Sequence, residues 1–189
     1  MAVWILHQKL NAEEEAHIHN RGYVVLPFDH LPDLSSVSSE GKCRQLMAAL
    51  HPDDPPESIT LKSDRIWRMA AGLHKEDMIA VPLKNREEIA LAQVTGGYRY
   101  QPEEGGSDIH LMPVTWYPKN VPLRRLSKHK TLFIDSGAPM MEVMDSEARI
   151  AICDQLPHSY NRFARWKWLM LVFFAIGAIS LLRQMMSGQ

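Results

Sequence analysis

Residues 77–100 read DMIAVPLKNREEIALAQVTGGYRY, and this stretch decides the fold. Residues 77–82 form a short apolar run that predicts a buried strand, and the polar 84–86 supplies a turn. A second run, 88–95, predicts the returning strand. Gly96 and Gly97 then permit a sharp bend before Tyr98, Arg99 and Tyr100 resume an extended segment. Working outward, residues 109–117 (IHLMPVTWY) predict another strand, and 2–6 (AVWIL) and 23–28 (YVVLPF) two more. Helices are expected over 11–20, with Asn11 as N-cap and glutamates in the first turn, over 40–50, and over 58–73. HPDDPPE at 51–57 reads as a break between the last two. Short strands around glycine turns with helices in front predict an α+β fold, a small, partly open β-barrel with flanking helices.

The remaining segments divide the chain into 1–145 for the barrel, an amphipathic connector at 146–165 expected to pack on it, a membrane helix at 166–183 and a tail at 184–189. Leu169 to Leu182 (LMLVFFAIGAISLL) carries no charge. Its fourteen residues rise roughly 21 Å, short of a hydrocarbon core of roughly 30 Å, and Trp166, Lys167 and Trp168 extend it to the lower limit for spanning. Both tryptophans suit the membrane interface, Lys167 can snorkel, and Arg183 closes the far end. Arg162, Arg165 and Lys167 precede the segment, so the positive-inside rule leaves the N-terminal domain in the cytosol. The expected location is the cell inner membrane, single-pass. The first residues lack the features of a signal peptide.

Composition excludes more than it proposes. Net charge is −1, so any contact with nucleic acid must come from a local patch. Cys43 and Cys153 have no paired spacing, which fits a reducing compartment and neither a metal ribbon nor a disulfide frame. His17 and His19, two residues apart on a helix, point apart and are poor co-ligands, so no metal is expected. Ser63, Asp64 and His74 form no nucleophile–base pattern, and P-loop, GxSxG and HExxH motifs are absent from the sequence. The chain is not read as an enzyme and no cofactor is expected.

Two sets of residues suggest binding. Trp67, Tyr98, Tyr100 and Trp116 come from separate segments, as the walls of a pocket that stacks on a flat base must; each alone reads as ordinary packing. Arg124, Arg125, Lys128, His129 and Lys130 form a basic run that suits phosphates, a solvated turn of helix or anionic lipid headgroups equally.

The order of segments resembles the PUA-like domain at the N-terminus of Mrr-type restriction endonucleases. That family opens with a Trp-bearing strand, then shows a W-R-F helix, a G-D-x-V-V-x-P strand, I-G-x-V-T-G-x-Y-x-Y and R-P-V-x-W. The matching positions are Trp4; Trp67 and Arg68; Asp77 and Pro82; Val94, Thr95, Gly96, Tyr98 and Tyr100; Pro113, Val114 and Trp116. Phe28, Met69 and Glu76 depart from it, standing where the family has Gly-Trp, Phe and Gly. The resemblance covers about residues 3–145 and implies a relative of EVE, YTH, ASCH and SRA domains, many of which seat a modified or flipped nucleobase in an aromatic pocket. After Cys153 the expected anchor stands where the Mrr-type endonucleases carry their nuclease half. The expectation is a membrane-tethered sensor or adaptor that reads nucleic acid in prokaryotic antiviral defence, with other defence-system proteins as possible partners. Two alternatives stand beside it. One is a ligand-gated effector that forms a homo-oligomer and perturbs the bilayer, using Ala175, Gly177, Ala178 and Ser180 for close packing. The other is a protein-binding scaffold with a vestigial pocket.

Overall fold

Eight strands form one curled half-barrel sheet flanked by helices in the computed structural model, an α+β arrangement. The structure describes residues 1–8, 10–28, 30–84, 86–102, 109–134 and 138–156. The strands are β1 (Val3–Leu6), β2 (Tyr23–Val25), β3 (Met78–Leu83), β4 (Glu88–Val94), β5 (Arg99–Gln101), β6 (Ile109–Trp116), β7 (Val121–Pro122) and β8 (Met140–Glu142). They are ordered β2-β6-β4-β3-β1-β8, with β5 added to β6 and β7 to β4.

The hairpin read from residues 77–100 is the middle of that sheet. β3 and β4 pair antiparallel from Met78 opposite Gln93 to Leu83 opposite Glu88. Every residue of β3 is buried, as expected of a run apolar on both faces. Pro82 is tolerated in so central a strand because the parallel ladder with β1 ends at Ala80, opposite Ile5, before the missing N–H is needed. β6 supplies the curl: it pairs with β5 over 109–111, with β2 over 111–113 and with β4 over 114–116.

α1 (Ala12–Ala16) starts at Asn11, whose side chain accepts from the Glu14 N–H while Glu14 accepts from the Asn11 N–H. It is shorter than predicted, because the backbone leaves the helix at His17 and continues as a 3-10 turn, Ile18–Asn20. The strand predicted over 23–28 ends at Val25; Pro27 has no N–H to give a ladder, and the chain turns there, with the Phe28 N–H donating to the Leu26 carbonyl. α2 (Glu40–Leu50) has the predicted bounds. α3 (Pro56–Gly72) begins two residues early, since Pro56 is already set for a first helical turn. Ile66 and Met69 of α3 meet Cys43 and Met47 of α2 in the main core, with Trp4, Leu6, Ile79, Val81, Ala90, Ala92 and Met112 from the sheet.

The basic run lies in a 3-10 segment, Leu123–Phe133, kinked at Leu126 and anchored by the buried Leu126 and Phe133. The chain divides into two compact units, residues 1–146 and 147–189. Within the second, α4 (Ser146–Cys153) carries buried Ala148 and Ile152. The expected membrane helix, with Trp166, Lys167, Trp168 and Arg183, and the tail lie outside the described residues. Among the described residues, no helix is long and apolar enough to cross a membrane.

Candidate functional site

Trp67 projects from the middle of α3 and Tyr98 stands just before β5; together they line one cleft of about 290 Å³. Ala70, Ala71, Leu34, Ser35 and Val37 complete the lining. The small residues of α3 leave room beside the indole, and the loop at 34–37 forms the opposite wall. Two of the four aromatics singled out in the sequence therefore share a cavity.

A polar network fixes the tyrosine. The Leu31 carbonyl lies 3.0 Å from Nε2 of His110 and can only accept, so Nε2 carries a proton. In the neutral ring Nδ1 is then the acceptor, and the Tyr98 hydroxyl donates to it at 2.7 Å. The Tyr98 oxygen in turn accepts the Leu34 N–H at 3.2 Å. Burial pushes the Tyr98 hydroxyl above the usual phenol range, with the Leu34 N–H opposing it, so the phenol keeps its proton at neutral pH. On the rim, the Ser35 hydroxyl and N–H both donate to Asp33 and hold its carboxyl below the usual range. The network ties the loop at 31–35 to the sheet and sets the cleft's width. Tyr100, paired with His110 across β5 and β6, adds its ring edge to the histidine at 5.4 Å, and Phe28 does so at 5.3 Å.

Trp116 lies elsewhere. It shares the core-facing parity of His110 on β6 but sits six residues further, roughly 20 Å along a strand. There its indole N–H donates to the Arg21 carbonyl at 2.6 Å and its ring meets His19 edge-on. The basic run is also remote from the cleft: Leu123 bonds to Glu87 at the start of β4, whereas Tyr98 follows that strand's end, a strand length of roughly 20 Å. Arg124, Arg125, Lys128 and Lys130 are exposed, and none makes an ion pair among the described residues. His129 lies 3.9 Å from Asp145.

His110 is the residue that sequence reading missed. It is 1% exposed, and its only sequence signal is a polar ring at a position whose strand alternation demands an apolar one. Asp77, matched earlier by motif alone, proves to be a buried clamp: one carboxylate oxygen accepts the Ala2 N–H at 2.6 Å and the other the His74 N–H at 3.0 Å. Glu76 before it has φ 78°, a left-handed backbone that favours glycine.

The family model described as Domain of unknown function (DUF8426) matches residues 4–136, and the chain belongs to that family. No curated protein and no solved structure matches it.

Proposed function

We propose that the Trp67–Tyr98 cleft receives a flat base, modified or flipped out of nucleic acid, and that the chain is a membrane-tethered sensor or adaptor in prokaryotic antiviral defence. The observation that carries this reading is the sharing of one cleft by two aromatic side chains from α3 and the β4–β5 bend. A ring stacked there loses water from both faces, a gain of roughly 1–3 kcal/mol for each base–aromatic stack. Assignment of the domain as PUA-like is supported by the order of Trp-bearing strand, helix and curled sheet. It is supported also by the left-handed Glu76, at the position where the resembling family places Gly. The remote basic run is given no part in base recognition; it serves phosphates or headgroups elsewhere. The tether rests on the apolar run and its Trp and Arg flanks in the sequence.

Equilibrium binding of the full chain in nanodiscs to short DNA and RNA strands, modified and unmodified, tests the reading. The expected result is a preference for one modified base of at least roughly tenfold, retained as salt rises and abolished by Trp67→Ala. Equal, weak binding to every strand, removed by salt, overturns it. Retention of the chain in the membrane pellet after alkaline extraction tests the tether separately.

A further inference from the structure

A second region beside α3 is built differently. Three clefts of about 350, 410 and 460 Å³ share lining residues end to end: the first two meet at Leu61 and Arg65, the last two at Trp4, Arg68 and Glu142. They form one groove. Its helical side is the stripe Leu61, Arg65, Arg68 and Gly72, spaced four, three and four residues apart on one face. Met140, Met141 and Met144 line the opposite side, Met140 and Met141 from opposite faces of β8.

Two buried polar atoms along this groove have no hydrogen-bond partner among the described residues, Nε1 of Trp4 and Oδ1 of Asp64. Trp4 is 95% buried, and a Cβ added at Gly72 would meet its Cζ2 and Cη2 at 3.3 Å. The benzenoid edge of the ring thus lies against α3, and the Nε1 atom is itself buried. Asp64 Oδ1 pairs instead with Arg44 of α2, at 3.8 Å.

β8 ends the sheet, paired on one side to β1. The Val143 N–H donates to Val3 and the His7 N–H to the Pro139 carbonyl, so residues of that parity face β1. Met140 and Glu142 turn their N–H and C=O groups outward, where no described backbone group meets them. Arg65 and Arg68 are exposed and make no ion pair among the described residues.

We infer that this groove binds an extended peptide of a partner protein, alternating apolar and acidic residues, which adds to β8 as an antiparallel strand. Its backbone pairs with Met140 and Glu142, its apolar side chains lie on the methionines, and its acidic ones meet Arg65 and Arg68. The helix is 17 residues long, roughly 25 Å, and an extended peptide of about seven residues matches that length. The inference does not rest on base recognition in the Trp67–Tyr98 cleft.

The test uses the full chain in detergent micelles with ¹⁵N-tryptophan, the Trp4 indole signal being assigned by Trp4→Phe. The probe is an equimolar pool of capped heptapeptides alternating Leu, Ile or Val with Asp or Glu. Saturable movement of the Trp4 signal is expected, with hydrogen exchange at Met140 and Glu142 slowed at least roughly tenfold. Arg65→Glu with Arg68→Glu, both at exposed positions, is expected to weaken binding at least roughly tenfold. Glu142→Pro, which removes one outward N–H at an edge that tolerates proline, is expected to weaken it roughly three- to tenfold. Trp67→Ala is expected to leave peptide binding intact. An unmoved Trp4 signal at millimolar peptide overturns the proposal, as does equal binding of a pool carrying Lys and Arg in place of the acids. Protection of Met140 and Glu142 that grows with protein concentration without peptide also overturns it, assigning the edge to a second copy of the chain.

Discussion

The two hollows flanking α3 differ in how their polar atoms are satisfied. In the Trp67–Tyr98 cleft the Tyr98 hydroxyl, both ring nitrogens of His110 and the Leu34 N–H all have partners. In the groove beside β8, the buried indole N–H of Trp4 has none among the described residues. A satisfied cavity holds its shape without a ligand and selects by fit and stacking. An unsatisfied one carries a standing desolvation cost, which a partner with the complementary groups removes.

Breaking the satisfied side has the largest expected effect. His110→Ala deletes a buried ring and leaves the Leu31 carbonyl and Tyr98 hydroxyl without it, so a loss of about 3 kcal/mol is expected in urea unfolding. Next comes a comparison of two tryptophans. Trp116→Phe removes an N–H bonded at 2.6 Å, whereas Trp4→Phe removes one that has no partner among the described residues. The first is expected to cost about 1 kcal/mol more than the second, and equal costs would show that Trp4 is satisfied in the isolated chain.

A smaller effect concerns the turn into β3. Glu76→Gly relieves a left-handed backbone and is expected to raise stability by up to about 1 kcal/mol, read from the unfolding midpoint. The smallest concerns pH. Because the folded-state pKa of Tyr98 is raised, its contribution is fully present below the ordinary phenol range and is lost as pH rises through the folded value. Thermal unfolding above pH about 10 is therefore expected to fall less steeply for Tyr98→Phe than for the parent.

The sheet's middle was legible because β3 and β4 are long apolar runs divided by a polar turn, and the Asn11 cap because its chemistry is local. Pairing Trp67 with Tyr98 followed from looking for aromatics on different elements. Trp116 and Tyr100, grouped with them in the same search, do not line that cleft, since strand alternation fixes a face but says nothing of distance along it. β7 and β8 were missed for another reason: Val-Pro and Met-Met-Glu are too short for any period, and only neighbouring backbone makes them strands. The orphan N–H of Trp4 was invisible too, because whether an indole finds a partner depends on residues more than sixty positions away.

The position of β1 has a consequence for synthesis. It is the first of the eight strands to be made, yet it lies between β3, beginning at Met78, and β8, beginning at Met140. At ordinary translation rates its second partner appears on the order of ten seconds after it. Throughout that interval Val3–Leu6, four residues that end up buried, have at least one edge open. Vectorial folding can therefore complete the hairpin of β3 and β4 early, but insertion of the N-terminal strand waits for almost the whole domain to be made.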